Sequence, residues 1–126
     1  MTQEQKELLL KDLCARLPYG VKMNHIADNE HSPKTLIGIA KDMITLQGLD
    51  GYECVDVEHY KPYLFPLSSM SKEQKEKYKQ FLEDIDGYVY SIDCVPQVDW
   101  LNKNHFDYRG LIPMELAIDA TRLNIY

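Results

Sequence analysis

Within the first 58 residues the apolar positions change their repeat from helical spacing to alternation, and this change limits the fold more than any other feature of the chain. Over residues 2–17 the repeat is helical. Leu9, Leu10, Leu13 and Leu17 fall on one stripe, with Leu8 at its edge. Thr2 and Gln5 have the spacing of a capping box, in which each side chain satisfies a backbone N–H at the helix start. Pro18 and Gly20 end the helix. From Val21 the period becomes two. Val21, Met23 and His25 alternate with Lys22 and Asn24, which predicts a half-buried strand with His25 on or beside its core face. Residues 35–39 and 43–47 are β-prone and flank a turn at Lys41-Asp42. Gly48-Leu49-Asp50-Gly51 reads as a hairpin loop leading into a strand over residues 52–58.

The second half reads differently. Residues 61–70 hold Pro62 and Pro66, which deny helix to the residues before them, so this stretch is expected to be a connector. Ser71 and Gln74 form a second capping box, opening a helix to about Asp86 with Tyr78, Phe81, Leu82 and Ile85 on its buried stripe. Residues 88–93 suit another strand. Pro96 and Pro113 each suit the first turn of a short helix, ending near Lys103 and Ala120. Asp-Gly-Tyr occurs at residues 50–52 and 86–88, two uses of one turn chemistry rather than a duplication. The expected class is therefore α+β: an N-terminal helix, an antiparallel β-meander of three to five strands, and helices in the C-terminal half. A chain of 126 residues, 44% apolar, suits a single domain over residues 1–126.

Charge and cysteine usage narrow the function classes. The formal charge is -6, so the accumulated Lys and Arg of a general nucleic-acid binder are missing and no nucleic acid is expected as a partner. No apolar run approaches the roughly 20 residues of a membrane span. The polar opening residues carry no signal-peptide core, and Cys14, Cys54 and Cys94 are widely spaced, so free thiols in a cytoplasmic protein are expected. Cys14 is expected to be buried beside the leucines.

Candidate chemistry is sparse. Strand alternation puts Cys54, Asp56 and Glu58 on one face and Val55 and Val57 on the other, which is first the pattern of a one-sided sheet with a solvated face and second a pair of candidate carboxylates, Asp56 and Glu58. The His and Cys spacings match no structural zinc pattern, and neither a metal nor a cofactor is expected. Nine tyrosines are many for this length. Tyr60 and Tyr63 flank the prolines and are candidates either for a contact surface or for the edge of the core. The densest polar-aromatic stretch is residues 99–110. His105 and Asp107 there form a candidate acid-base pair, and Arg109 a candidate anion clamp. Trp100 and Phe106 are expected to be buried anchors, and His105, Tyr108 and Arg109 to form a surface patch. Gly110 is expected to take a positive φ.

Three segments carry a resemblance: LLLKDLCARLPYGV (residues 8–21), KPYLFPLSSM (61–70) and DWLNKNHFDYRGLI (99–112). Together they resemble a group of small uncharacterised proteins of Bacteroides-type gut bacteria, often encoded in prophage or other mobile regions. Residues 25–52 depart most from that group. The resemblance implies a bacterial cytoplasmic protein with a phage connection. It implies no reaction and no catalytic residue. The expected function is a non-catalytic accessory or protein-interaction module using His105, Tyr108, Arg109, Tyr60 and Tyr63. The alternative is a small metal-dependent or acid-base hydrolase using Asp56, Glu58, His105 and Asp107.

Overall fold

Thr2 starts the first helix, α1 (Gln3–Arg16), through the predicted capping box: its hydroxyl accepts the Gln5 N–H at 3.1 Å, and the Gln5 side chain accepts the Thr2 N–H at 3.0 Å. Leu9 and Leu13 are fully buried, with Leu8, Leu10 and Leu17 packed at the margin. Each buried leucine contributes about 1.5–3 kcal/mol relative to an exposed one. The same face buries Lys6, Asp12 and Arg16, so it is not purely apolar. Cys14 is exposed, not buried. One residue beyond Leu13 is roughly 100° around the helix, enough to leave the packed face. Gly20 turns the chain out of the following 3₁₀ turn (Leu17–Tyr19) at φ 66.

This computed structural model describes residues 1–84 and 96–126. Four strands follow α1 as an antiparallel meander: β1 (Lys22–His25), β2 (Lys34–Ala40), β3 (Met43–Gly48) and β4 (Gly51–Asp56). A 3₁₀ turn (Val57–His59) then leads into β5 (Tyr60–Pro66). This strand returns beside β1 and not beside β4, giving the order β4-β3-β2-β1-β5. Further along β5, two short strands pair with it in parallel: β6 (Phe106–Asp107) at Phe65 and Pro66, and β7 (Ile118–Asp119) at Tyr63 and Leu64. The helices α2 (Lys72–Asp84) and α3 (Pro96–Lys103) lie in the C-terminal half. The α+β class with an N-terminal helix and a mostly antiparallel sheet is the one the period change predicts. No helix among the described residues is long and apolar enough to cross a membrane.

Four local expectations are corrected. The connector at residues 61–70 is largely β5, a strand at the heart of the fold. Pro66 ends it, and its neighbours there are two-residue strands, so few ladder bonds need the missing proline N–H. The strand expected over residues 52–58 stops at Asp56, whose carboxylate accepts the Glu58 N–H at 2.9 Å and opens the 3₁₀ turn. No helix follows Pro113. The Asp107 carboxylate accepts the N–H groups of Leu111 and Ile112, each at 2.9 Å, Glu115 takes a left-handed φ of 61, and the chain turns into β7. His25 is exposed, while Asn24 is buried and donates from Nδ2 to the Asp28 carbonyl at 2.9 Å. The connection after β1 holds Asn24 and breaks the alternation. The strand expected at residues 88–93, the second Asp-Gly-Tyr, Ile85 and Cys94 lie outside the described residues, as do the side chains of Phe81 and Leu82.

Two apolar clusters result. Leu9 and Leu13 of α1 pack on Val21, Met23, Leu36, Ile44, Leu46, Tyr60 and Leu64 of the sheet side. A second cluster gathers Met70, Leu101 and Phe106, with Phe65, Tyr78, Trp100 and Tyr108 against it. Residues 99–110 supply Trp100, Leu101, Phe106 and Tyr108 to the second.

Candidate functional site

Pro96 opens α3 where its missing N–H costs nothing, and the helix delivers Trp100 and Leu101 to the second cluster. The chain then reverses at His105, which takes φ 62, and enters β6. Phe106 is an anchor as expected, 2% exposed. Trp100 is half-buried, its ring centroid 5.6 Å from that of Phe106. Gly110 has the expected positive φ, 75.

Tyr108 and Arg109 do not form an open patch. The fully buried Asp12 carboxylate accepts from Arg16 Nε at 2.7 Å, Arg16 Nη2 at 3.2 Å and Arg109 Nε at 3.1 Å. Arg16 Nη2 also donates to the Phe106 carbonyl at 2.6 Å. The guanidinium carbons of Arg16 and Arg109 stand 5.2 Å and 5.0 Å from the centre of the Tyr108 ring. The Tyr108 hydroxyl donates to Asn102 Oδ1 at 2.8 Å. This arrangement clamps α1 to the segment after α3. Two guanidiniums share one carboxylate in it, and Arg16 Nη1 is buried with no partner among the described residues.

His105 faces the other way, into a cleft of about 340 Å³ whose walls include Phe65, Phe106, Tyr126, Asn104 and Thr121. Its imidazole lies flat on the Tyr126 ring, with centroids 3.8 Å apart and planes 12° apart. The Tyr126 hydroxyl accepts the Lys22 N–H and donates to the Tyr63 carbonyl, both at 2.8 Å, which ties the stack to β1 and β5. Burial, and then the positive charges of Arg16 and Lys22, push the His105 pKa down to about 4. At neutral pH the ring is uncharged, and its Nδ1 is buried without a partner among the described residues. A second cavity of about 460 Å³ adjoins the first, and Ser69 and Thr121 line both.

The other candidates lie elsewhere. Asp56 and Glu58 approach Lys6 of α1, at 3.9 Å and 3.3 Å, together with Asp42 at 3.2 Å. This cluster joins α1 to the β2–β3 turn and to the 3₁₀ turn. Asp107 holds the backbone of Leu111 and Ile112. None of Asp56, Glu58 and Asp107 lines the His105 cleft. Tyr60 and Tyr63 are 5% and 0% exposed, which takes both away from the surface. The Tyr60 hydroxyl donates to Glu53 at 3.1 Å, and the Tyr63 hydroxyl is hydrogen-bonded to His31 Nδ1 at 2.8 Å. Among the described residues no three His, Cys, Asp or Glu side chains are grouped to hold a metal ion.

Sequence reasoning found His105 and missed its surroundings. Nothing local announces that Tyr126 lies on His105 or that Asp12 serves two arginines. The i,i+4 spacing of Asp12 and Arg16 was a signal for a pair, though not for a buried one. No protein-family model, no curated protein and no solved structure matches the chain.

Proposed function

We propose that this chain is a non-catalytic accessory module, of bacterial or phage origin, that engages a protein partner through the His105 cleft. The observation that carries the reading is the cleft itself: an open, ring-walled pocket whose polar rim is made of hydroxyls, amides and the Lys103 side chain. Each member of the hydrolase set other than His105 is already committed to structural bonding. A general base needs a reacting group within hydrogen-bond reach, and the nearby Ser69 hydroxyl donates instead to the Pro66 carbonyl at 2.7 Å. A second support comes from the resemblance. Its three segments meet here: residues 61–70 supply Phe65 and Ser69, residues 99–112 supply Lys103 to Phe106, and residues 8–21 supply Arg16 behind them. Bacterial or phage origin rests on that resemblance alone.

The test is affinity capture from an extract of the source organism with the native chain and with Thr121→Arg, which places a long side chain on the exposed lip. Captured proteins are then purified and titrated against both forms. A partner bound by the native chain and lost with the variant is expected. Equal binding by both forms sends the interface elsewhere. Turnover of ester or phosphoester substrates that disappears in His105→Ala would overturn the non-catalytic reading.

A further inference from the structure

Resting on the interaction reading, we infer that the partner segment seated in the cleft carries an aromatic side chain flanked by carboxylates. The argument starts from charge. The chain as a whole carries -6, yet the cleft inverts that sign. Lys103 and Arg122 are exposed on its two halves, and neither has a carboxylate partner among the described residues. Among the described residues one side-chain carboxylate, Asp119, lines the paired cavities, and it is occupied by the Thr121 N–H at 2.9 Å and by the Thr121 hydroxyl. Behind the wall formed by His105 and Phe106, Arg16 and Arg109 share Asp12, and Asp107 spends its carboxylate on the Leu111 and Ile112 N–H groups. Arg16 and Lys22 act on His105 as positive charges. A concave site with low-dielectric walls concentrates such a field, so it selects an anionic group even on an acidic protein.

The second part is the ring. Phe65 stands 6.3 Å from Phe106 and 5.8 Å from Tyr126, centroid to centroid, and the Tyr126 ring covers His105. Aromatic walls of this kind hold another ring in offset or edge contact, and the 340 Å³ half has room for one side chain of that size. The 460 Å³ half then receives the neighbouring carboxylate through the Arg122 guanidinium and the Ser68 hydroxyl.

Three blocked tripeptides separate the contributions: acetyl-Glu-Tyr-Glu-amide, acetyl-Gln-Tyr-Gln-amide and acetyl-Glu-Ala-Glu-amide. Each is titrated into the isotopically labelled full chain while the backbone amide signals of Phe65, His105, Thr121 and Arg122 are followed. The first peptide is expected to shift these signals. Removing its charges or its ring is each expected to weaken it about tenfold. The Lys103→Glu, Arg122→Glu double variant alters exposed side chains and is expected to prefer the Gln peptide. Equal affinity for the Glu and Gln peptides overturns the charge argument, and equal affinity for the Tyr and Ala peptides overturns the ring argument. If no peptide shifts the cleft signals at about 10 mM, where binding is worth only about 3 kcal/mol, the inference fails. A partner still lost with Thr121→Arg would then leave the interaction reading standing, whereas equal binding of that partner by both forms would remove both.

Discussion

Asp12→Ala should be the most damaging single change in the α1 clamp. Asp12 is fully buried and accepts from two guanidiniums, one of them fully buried on Arg16. Removing the carboxylate leaves that guanidinium dry and uncompensated, which costs about 3–5 kcal/mol. A domain of this size has roughly 5–15 kcal/mol in total, so the variant should be folded but marginal. Arg109 is 21% exposed, and Arg109→Ala removes its bond to Asp12 and a longer one, 3.4 Å, to the Tyr108 hydroxyl, while Asp12 keeps both bonds from Arg16. Its cost, reduced by solvent screening, should be about 1–2 kcal/mol. Once Asp12 is gone, Arg109 has less to lose, so the double variant should fall short of the sum by about 1 kcal/mol. Urea unfolding followed by circular dichroism reads all three. With m near 2 kcal/mol per molar, Asp12→Ala should move the midpoint down by about 2 M. Asp12→Asn keeps an acceptor oxygen and should lose less than Asp12→Ala. A loss under about 1 kcal/mol for Asp12→Ala would mean that Arg16 finds water, and the buried clamp would be wrong. Strict additivity would refute the shared carboxylate.

The remaining predictions use other contacts. His105 has a folded pKa of about 4 against 6.5 unfolded, so its contribution to stability is complete above about pH 6.5 and declines as pH falls through 4. The full shift corresponds to about 3 kcal/mol, reduced to roughly 1–2 for a ring partly open to solvent. His105→Gln should flatten that part of the acid-unfolding curve, and an unchanged curve would contradict it. Tyr126→Phe leaves the Lys22 N–H and the Tyr63 carbonyl without their shared partner, at a cost of about 1–3 kcal/mol. Faster hydrogen exchange at the Lys22 amide should report it, and unaltered exchange would remove the latch. Cys14 and Cys54 are free and exposed, so both should take up iodoacetamide in the folded protein. Peptide mass mapping of the alkylated chain checks this, and protection of Cys14 would return it to the core.

Residues close in sequence settled the local structure. Thr2 with Gln5 and Ser71 with Gln74 are capping boxes because both partners sit on one turn, where propensity and hydrogen bonding act together. The β2 to β4 hairpins and the α3 start at Pro96 were legible for the same reason, as was the positive φ of Gly110. Two failures are local, the strand end at Asp56 and the exposure of Cys14, and the larger ones are decisions taken at long range. Whether residues 61–70 connect or pair depends on β1, β6 and β7, the first nearly 40 positions earlier and the others about 40 and 55 later. Asp107 could not be recognised as the group that turns the chain at Leu111, because a carboxylate's partner is chosen by what is desolvated beside it. Tyr60 and Tyr63 read as core edge or as contact surface, with the core edge favoured, and β5 taking its place in the sheet decided for burial. The candidate site shows the same division. The sequence pointed to residues 99–110, where polar and aromatic side chains crowd together. Tertiary structure separated Arg109, held inward by a carboxylate on α1, and Tyr108, bonded to Asn102, from His105, turned outward onto Tyr126. Helix starts and turns are fixed by energies of about 1 kcal/mol acting over a few residues, whereas burial, charge sharing and cleft shape exist only once distant segments have displaced the water between them.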